Sequence, residues 1–188
     1  MAKTYPEIDE RLRSFIAGQH VFFVASAPAG ADGHINCSPK GLDTLRILGP
    51  TCVAYLDFVG SGVETIAHVR QNGRVVIMFC AFDGPPNIVR LHGRGAIIEP
   101  SDPEFPALLA EFEPKPGIRA IVRVDLTRIS DSCGYGVPLL RYERERTQMG
   151  EWAERKQATG LVTYQREKNA ASLDGLPGLR WTERGSKP

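Results

Sequence analysis

Apolar side chains recur along this chain with two different periods. Ile8, Leu12, Phe15 and Ile16 fall at helical spacing and Gly18 follows them, so the N-terminal segment reads as an amphipathic helix. Thr4 and Glu7 stand three apart with Pro6 between them, the spacing of a capping box, which puts the expected helix start there. From residue 21 the pattern becomes short, β-branched and apolar. Segments 21–25, 34–38, 46–48, 51–56, 75–81, 88–98 and 118–129 read as strands. Turn chemistry separates them: Gly49-Pro50 joins two, and Asp83-Gly84-Pro85-Pro86 precedes the long strand 88–98. Gly93 and Gly95 within that strand predict a bend or bulge. Helices are expected over 61–71 and 102–112. Many short strands with few helices predict a mainly β, α+β chain built on a closed or nearly closed barrel.

After residue 131 the pattern changes. Residues 145–156 read as a charged helix with Met149, Trp152 and Ala153 on one side; Gly160 interrupts it, and 161–169 continue it. The expected organisation is one domain over 1–188, with the barrel core at 19–131 and an extension at 132–188 that docks on the barrel or on a partner subunit.

Composition narrows the function classes. Of 188 residues, 42% are hydrophobic and 24% charged, with a formal net charge of +1. Such a balance carries no excess to attract nucleic acid or a membrane surface. Residues 1–8 have no apolar core of signal-peptide length, and no apolar run approaches the ~20 residues that span a bilayer. A cytoplasmic protein is the expectation. Cys37, Cys52, Cys80 and Cys133 are widely spaced without a CxxC pair, so no thiolate metal site is expected.

Three segments carry candidate chemistry. A strand ends at Asp57, and the loop Phe58-Val59-Gly60-Ser61-Gly62 leads directly into a helix. Backbone N–H groups at a helix start favour an anion, glycines admit close approach, and Ser61 and Thr65 add hydroxyls, so this is a candidate phosphate cradle. Ser61 and Glu64 also have capping-box spacing, which accounts for both without a ligand. The second segment, Asn36-Cys37-Ser38-Pro39-Lys40-Gly41, offers an amide, a hydroxyl and an ammonium within five residues; Pro39 and Gly41 equally suit a solvated turn. The third places Arg90, His92 and Arg94 on one face of a strand, with Val89, Leu91 and Gly93 on the other.

Taken together, the segments resemble the pyridoxamine 5′-phosphate oxidase-related FMN-binding split β-barrel family. The order matches: an N-terminal helix, a strand ending in a basic residue at Lys40, an aromatic-bearing strand with Tyr55, Gly60-Ser61 opening a helix that holds His68, the apolar strand 74–80, then 87–98. The resemblance spans roughly residues 4–130. It implies a six-stranded-type split barrel with flanking helices, a homodimer with cofactor sites at the subunit interface, and an FMN-dependent oxidoreductase acting on a small molecule. It implies FMN held by Asn36, Ser38, Lys40, Ser61, Gly62, Thr65 and Arg90, with the strand from Tyr55 to Asp57 along the ring. Gly62 and Val63 stand where the oxidase has Arg and Lys, so either Lys40, Arg46, Arg74 or Arg90 compensates or the flavin binds weakly. The oxidase's C-terminal substrate-binding arginine motif is not recognisable, which argues against pyridoxamine phosphate as substrate. The alternative is a binding protein for flavin, deazaflavin or haem without turnover, a haem calling on His34, His68 or His92.

Overall fold

The computed structural model describes residues 3–183, with side chains to Trp181. Strand β1 (Lys3–Tyr5) precedes helix α1 (Glu10–Ala17). This corrects the expected helix start. Thr4 pairs with Ser130 in a sheet, and Asp9 is the cap, its side chain accepting from the Leu12 N–H at 2.8 Å. The chain continues through β2 (Phe22–Ser26), β3 (Asn36–Lys40), β4 (Leu45–Gly49), β5 (Cys52–Phe58), α2 (Glu64–Asn72), β6 (Arg74–Cys80) and β7 (Ile88–Ile98). It ends with α3 (Phe105–Leu109), β8 (Ile118–Ser132), α4 (Gln148–Lys168) and α5 (Arg180–Glu183).

The strands form one antiparallel sheet in the order β3-β2-β6-β7-β8-β5-β4. The mainly β, split-barrel-like architecture holds. The strand count is eight rather than six, and the path is open at β3 and β4 rather than closed. The 15-residue β8 makes room for β1: it carries β5 along Cys52↔Asp125 to Phe58↔Ile118 and β1 along Lys3↔Asp131 to Tyr5↔Ile129, while β7 lies on its other edge. The register shifts between His92 and Gly93, where the glycines predicted an irregularity. The burial pattern keeps Val89, Leu91 and Gly93 inside and leaves Arg90, His92 and Arg94 on the outer face.

Leu12 and Ile16 of α1 pack inside the curved sheet against Val24, Val53, Tyr55, Ile77 and Leu91. A second cluster sits on the outer side of β5, where Phe105 and Phe112 cover Leu56, Ile98 and Ile121.

Two helices depart from expectation. The α3 segment is shorter than 102–112. The α4 segment breaks at Gln157 (φ 56°, ψ 173°), not at Gly160. Trp152 and Tyr164 then meet edge-on with ring centroids 5.1 Å apart, whereas residues twelve apart on a straight helix lie ~18 Å apart. The two arms fold back on each other as a hairpin.

Residues 179 and 180 of the extension dock on this chain's own barrel. Leu179 is fully buried with Val63, Ile66 and Ala120. The Arg180 N–H donates to Glu99 Oε1 at 3.2 Å, its guanidinium pairs with Asp102, and Arg70 pairs with the same buried Glu99. Among the described residues no helix is long and apolar enough to cross a membrane.

Candidate functional site

One cleft of about 390 Å³ gathers most of the chemistry. Strand β3 alternates in exposure, so Asn36, Ser38 and Lys40 share a face, and that face forms one wall. Asp57 comes from the end of β5. The loop of residues 59–63 and the first turn of α2 contribute Gly60, Ser61, Gly62, Glu64 and Thr65. Met149, at the start of α4, reaches the cleft from the extension. Seven of the nine residues singled out from the sequence line this cleft: Asn36, Ser38, Lys40, Asp57, Ser61, Gly62 and Thr65.

The other two do not. The Tyr55 side chain lies in the main core, edge-on to Phe22 at 5.7 Å, because alternation along β5 turns it inward. Its hydroxyl is buried without a hydrogen-bond partner among the described residues, and burial, with Asp57 nearby, pushes it well above the ordinary tyrosine range. Arg90 stands on the outer face of β7 and donates to Ser132 Oγ at 3.0 Å. Arg46, a candidate for compensating charge, is taken by Asp43 at 2.9 and 3.0 Å.

The residue that sequence reasoning missed is Arg119. In β8, Ala120 opposes Asp57 and Ile118 opposes Phe58, so Arg119 is the extra residue of a bulge. A bulge re-aims a side chain, and Arg119 turns into the cleft. Its Nε donates to Asp57 Oδ2 at 2.7 Å, and a terminal nitrogen donates to the Gly62 carbonyl at 2.8 Å. Lys40 Nζ donates to the other Asp57 oxygen at 3.2 Å. Burial alone would raise the Asp57 carboxyl, but Arg119 and then Lys40 outweigh it and hold it below the ordinary carboxylate range. Lys40 is therefore not a free charge: two cations of the lining are balanced by Asp57 and Glu64.

The loop is held from behind. Asn169 Nδ2 donates to the Gly60 carbonyl at 2.9 Å, and the Val59 N–H donates to Gly117 at 2.8 Å. Ser61 is not the cap of α2; Val63 holds that position without a side-chain hydrogen bond, so the capping-box reading fails. Glu64 instead folds over Gly62, where a Cβ would fall 2.1 Å from its Oε2, and its Oε1 accepts from the Leu173 N–H at 3.3 Å. Across the cleft, Asn36 Nδ2 donates to Thr65 Oγ1 at 2.9 Å and lies 3.3 Å from Ser38 Oγ.

None of the three histidines considered as haem ligands lines the cleft. His68 is buried on α2 with Nδ1 at 3.0 Å from Ser26 Oγ, His34 pairs with Asp174 at 2.6 Å, and His92 sits on the outer sheet face.

A family model described as pyridoxamine 5′-phosphate oxidase matches residues 8–133. A pyridoxamine 5′-phosphate oxidase family protein of Aspergillus flavus is 41% identical over 192 residues, covering 93% of this chain and 77% of that protein. Among solved structures, a variant of the HupZ protein of Group A Streptococcus superposes with a TM-score of 0.53 at 20% identity, over 66% of this chain and 99% of that one. A protein of Lactobacillus delbrueckii described as a putative pyridoxamine 5′-phosphate oxidase gives 0.51 at 18% identity, over 68% and 98%. These two likenesses establish the fold.

Proposed function

The chain belongs to the pyridoxamine 5′-phosphate oxidase family, and from that premise we propose that the cleft between β3, β5 and α2 binds FMN and serves an oxidoreductase acting on a small molecule. The observation that carries this reading is the convergence of Asn36, Ser38, Lys40, Ser61 and Thr65 on a single cleft at the start of α2. The donor set fits the group: hydroxyls and an amide suit a ribityl chain, and an ammonium beside a helix start suits its phosphate. The volume falls within the roughly 300–1,000 Å³ usual for cofactor sites. When bound, FMN supplies the electron transfer. Asn36, Ser38 and Thr65 orient the chain, and Lys40 meets the phosphate. Arg119 keeps the buried Asp57 ionised and ties down the loop.

The second subunit belongs to the same proposal. Ile35, next to Asn36 of the cleft wall, is 78% exposed. A homodimer with the cleft at the subunit interface is what the family reading implies.

The absorbance spectrum of the purified protein, followed by FMN titration read as fluorescence quenching, tests the cofactor. Protein that is colourless and leaves FMN fluorescence unchanged rules the reading out, and a Soret band on haem addition moves the assignment to haem. Sedimentation equilibrium tests the dimer. The specific observation favouring a flavin carrier is that the cleft's two carboxylates are both engaged, Asp57 by cations and Glu64 by a backbone N–H. Anaerobic mixing with reduced nicotinamide separates the two, since a carrier does not bleach on a catalytic timescale.

A further inference from the structure

We propose that Lys40 and Asp57 form a charge latch that sets how strongly the cleft prefers a phosphate-bearing flavin over riboflavin, with Arg119 as the positioning residue that allows the latch to open. The inference rests on the flavin reading above and concerns residues that reading does not explain: a buried carboxylate and two cations converging on it.

The two cations are not equivalent. Arg119 is 6% exposed, is fixed by a bulge in β8, and bonds Asp57 and the Gly62 carbonyl together. A planar guanidinium so engaged has no second position to occupy. Lys40 is a point charge on a flexible four-carbon stem; its side chain is 23% exposed, near the end of an edge strand. If both were withdrawn, a fully buried carboxylate would be stranded without a counter-charge, a strongly unfavourable state. Because Arg119 stays, Lys40 can swing from Asp57 to an anion in the cleft without stranding it.

Among the described residues, the lining offers no further cation. The lining residues include two, Lys40 and Arg119, against the carboxylates of Asp57 and Glu64. A phosphate entering the cleft competes with Asp57 for Lys40, and part of the intrinsic Lys40–phosphate attraction is lost in breaking the 3.2 Å contact. Asp57 thus acts as a brake on phosphate recognition. The sign is opposite to that of an acid serving only to hold the site together.

The test is the ratio of riboflavin to FMN dissociation constants, measured by fluorescence quenching at neutral pH and fixed ionic strength. The wild-type protein should prefer FMN, and Lys40→Gln should bring the ratio close to one. Asp57→Asn, which keeps an acceptor for Arg119 but releases Lys40, should raise the ratio about tenfold, the size of one charge-assisted hydrogen bond. Arg119→Gln should lower it although Lys40 is intact, and adding Asp57→Asn to that variant should restore it; a purely structural role for Arg119 would weaken both flavins equally. An unchanged or lowered ratio in Asp57→Asn overturns the latch while leaving the flavin reading standing. Should Asp57→Asn not fold, Lys40→Gln decides, because a ratio equal to that of wild type overturns the latch as well. Failure of the wild-type protein to bind either flavin overturns the cofactor reading, and the latch with it.

Discussion

Gly178→Ala tests whether the extension supports the cleft. A Cβ at residue 178 would fall 2.1 Å from the Asn169 carbonyl oxygen and 3.0 Å from both its carbon and Val63 Cγ1. Nonbonded carbon and oxygen do not approach that closely, so the two segments must separate by about 1 Å. That carbonyl accepts the Leu179 N–H at 2.9 Å, and Leu179 is fully buried. Overpacking of this kind costs about 1–3 kcal/mol and the weakened hydrogen bond about 1 kcal/mol more. A loss of about 2–4 kcal/mol in a chain of this size lowers the melting temperature by roughly 5–15 °C. Asn169 also holds the Gly60 carbonyl, so FMN affinity should fall with stability. Thermal unfolding and flavin titration check both effects, with Gly136→Ala as control, since a Cβ there meets nothing within 4 Å. A Gly178→Ala protein that melts within a degree or two of wild type would refute the claimed docking.

Asp131 accepts from the Lys3 N–H at 3.1 Å and Tyr5 Oη at 2.5 Å and pairs with Arg11, so Asp131→Ala should release β1; hydrogen exchange at residues 3–5 should speed up while β7 stays protected, and unchanged exchange would refute the tether. Asp57 is held below the ordinary carboxylate range, so its stabilisation is present above that range and is lost as pH falls through the lowered value; melting temperatures of Asp57→Asn and wild type should converge below about pH 4, and a constant gap down to pH 2 would contradict the assignment.

The alternating strands were legible because burial of one face imposes a two-residue period, and 88–98 reads off with the bounds it has as β7. The convergence of β3 with the loop after β5 was legible only through the family resemblance, since the amide, hydroxyl and ammonium of residues 36–40 suit a solvated turn equally well. Long-range pairing was not. Thr4 looks like a cap until Ser130 is seen opposite it, and tertiary pairing overrides a local signal. Arg119 was invisible for a related reason: it sits among apolar strand residues, and nothing local marks the bulge that re-aims it. Gly160 reads as the break in α4 on propensity alone, whereas the fold-back that brings Trp152 to Tyr164 falls at Gln157.

The helical hairpin of α4 has a consequence for how such a site can change over time. Of its residues, Ala153 and Gln165 are buried, and most of the others are exposed. Substitutions across most of it therefore cost the barrel little stability. Yet the hairpin delivers Met149 to the cleft. A lineage could remodel that wall by drift on the hairpin surface and test new ligands there, while the strands that hold Lys40, Asp57 and Arg119 stay untouched.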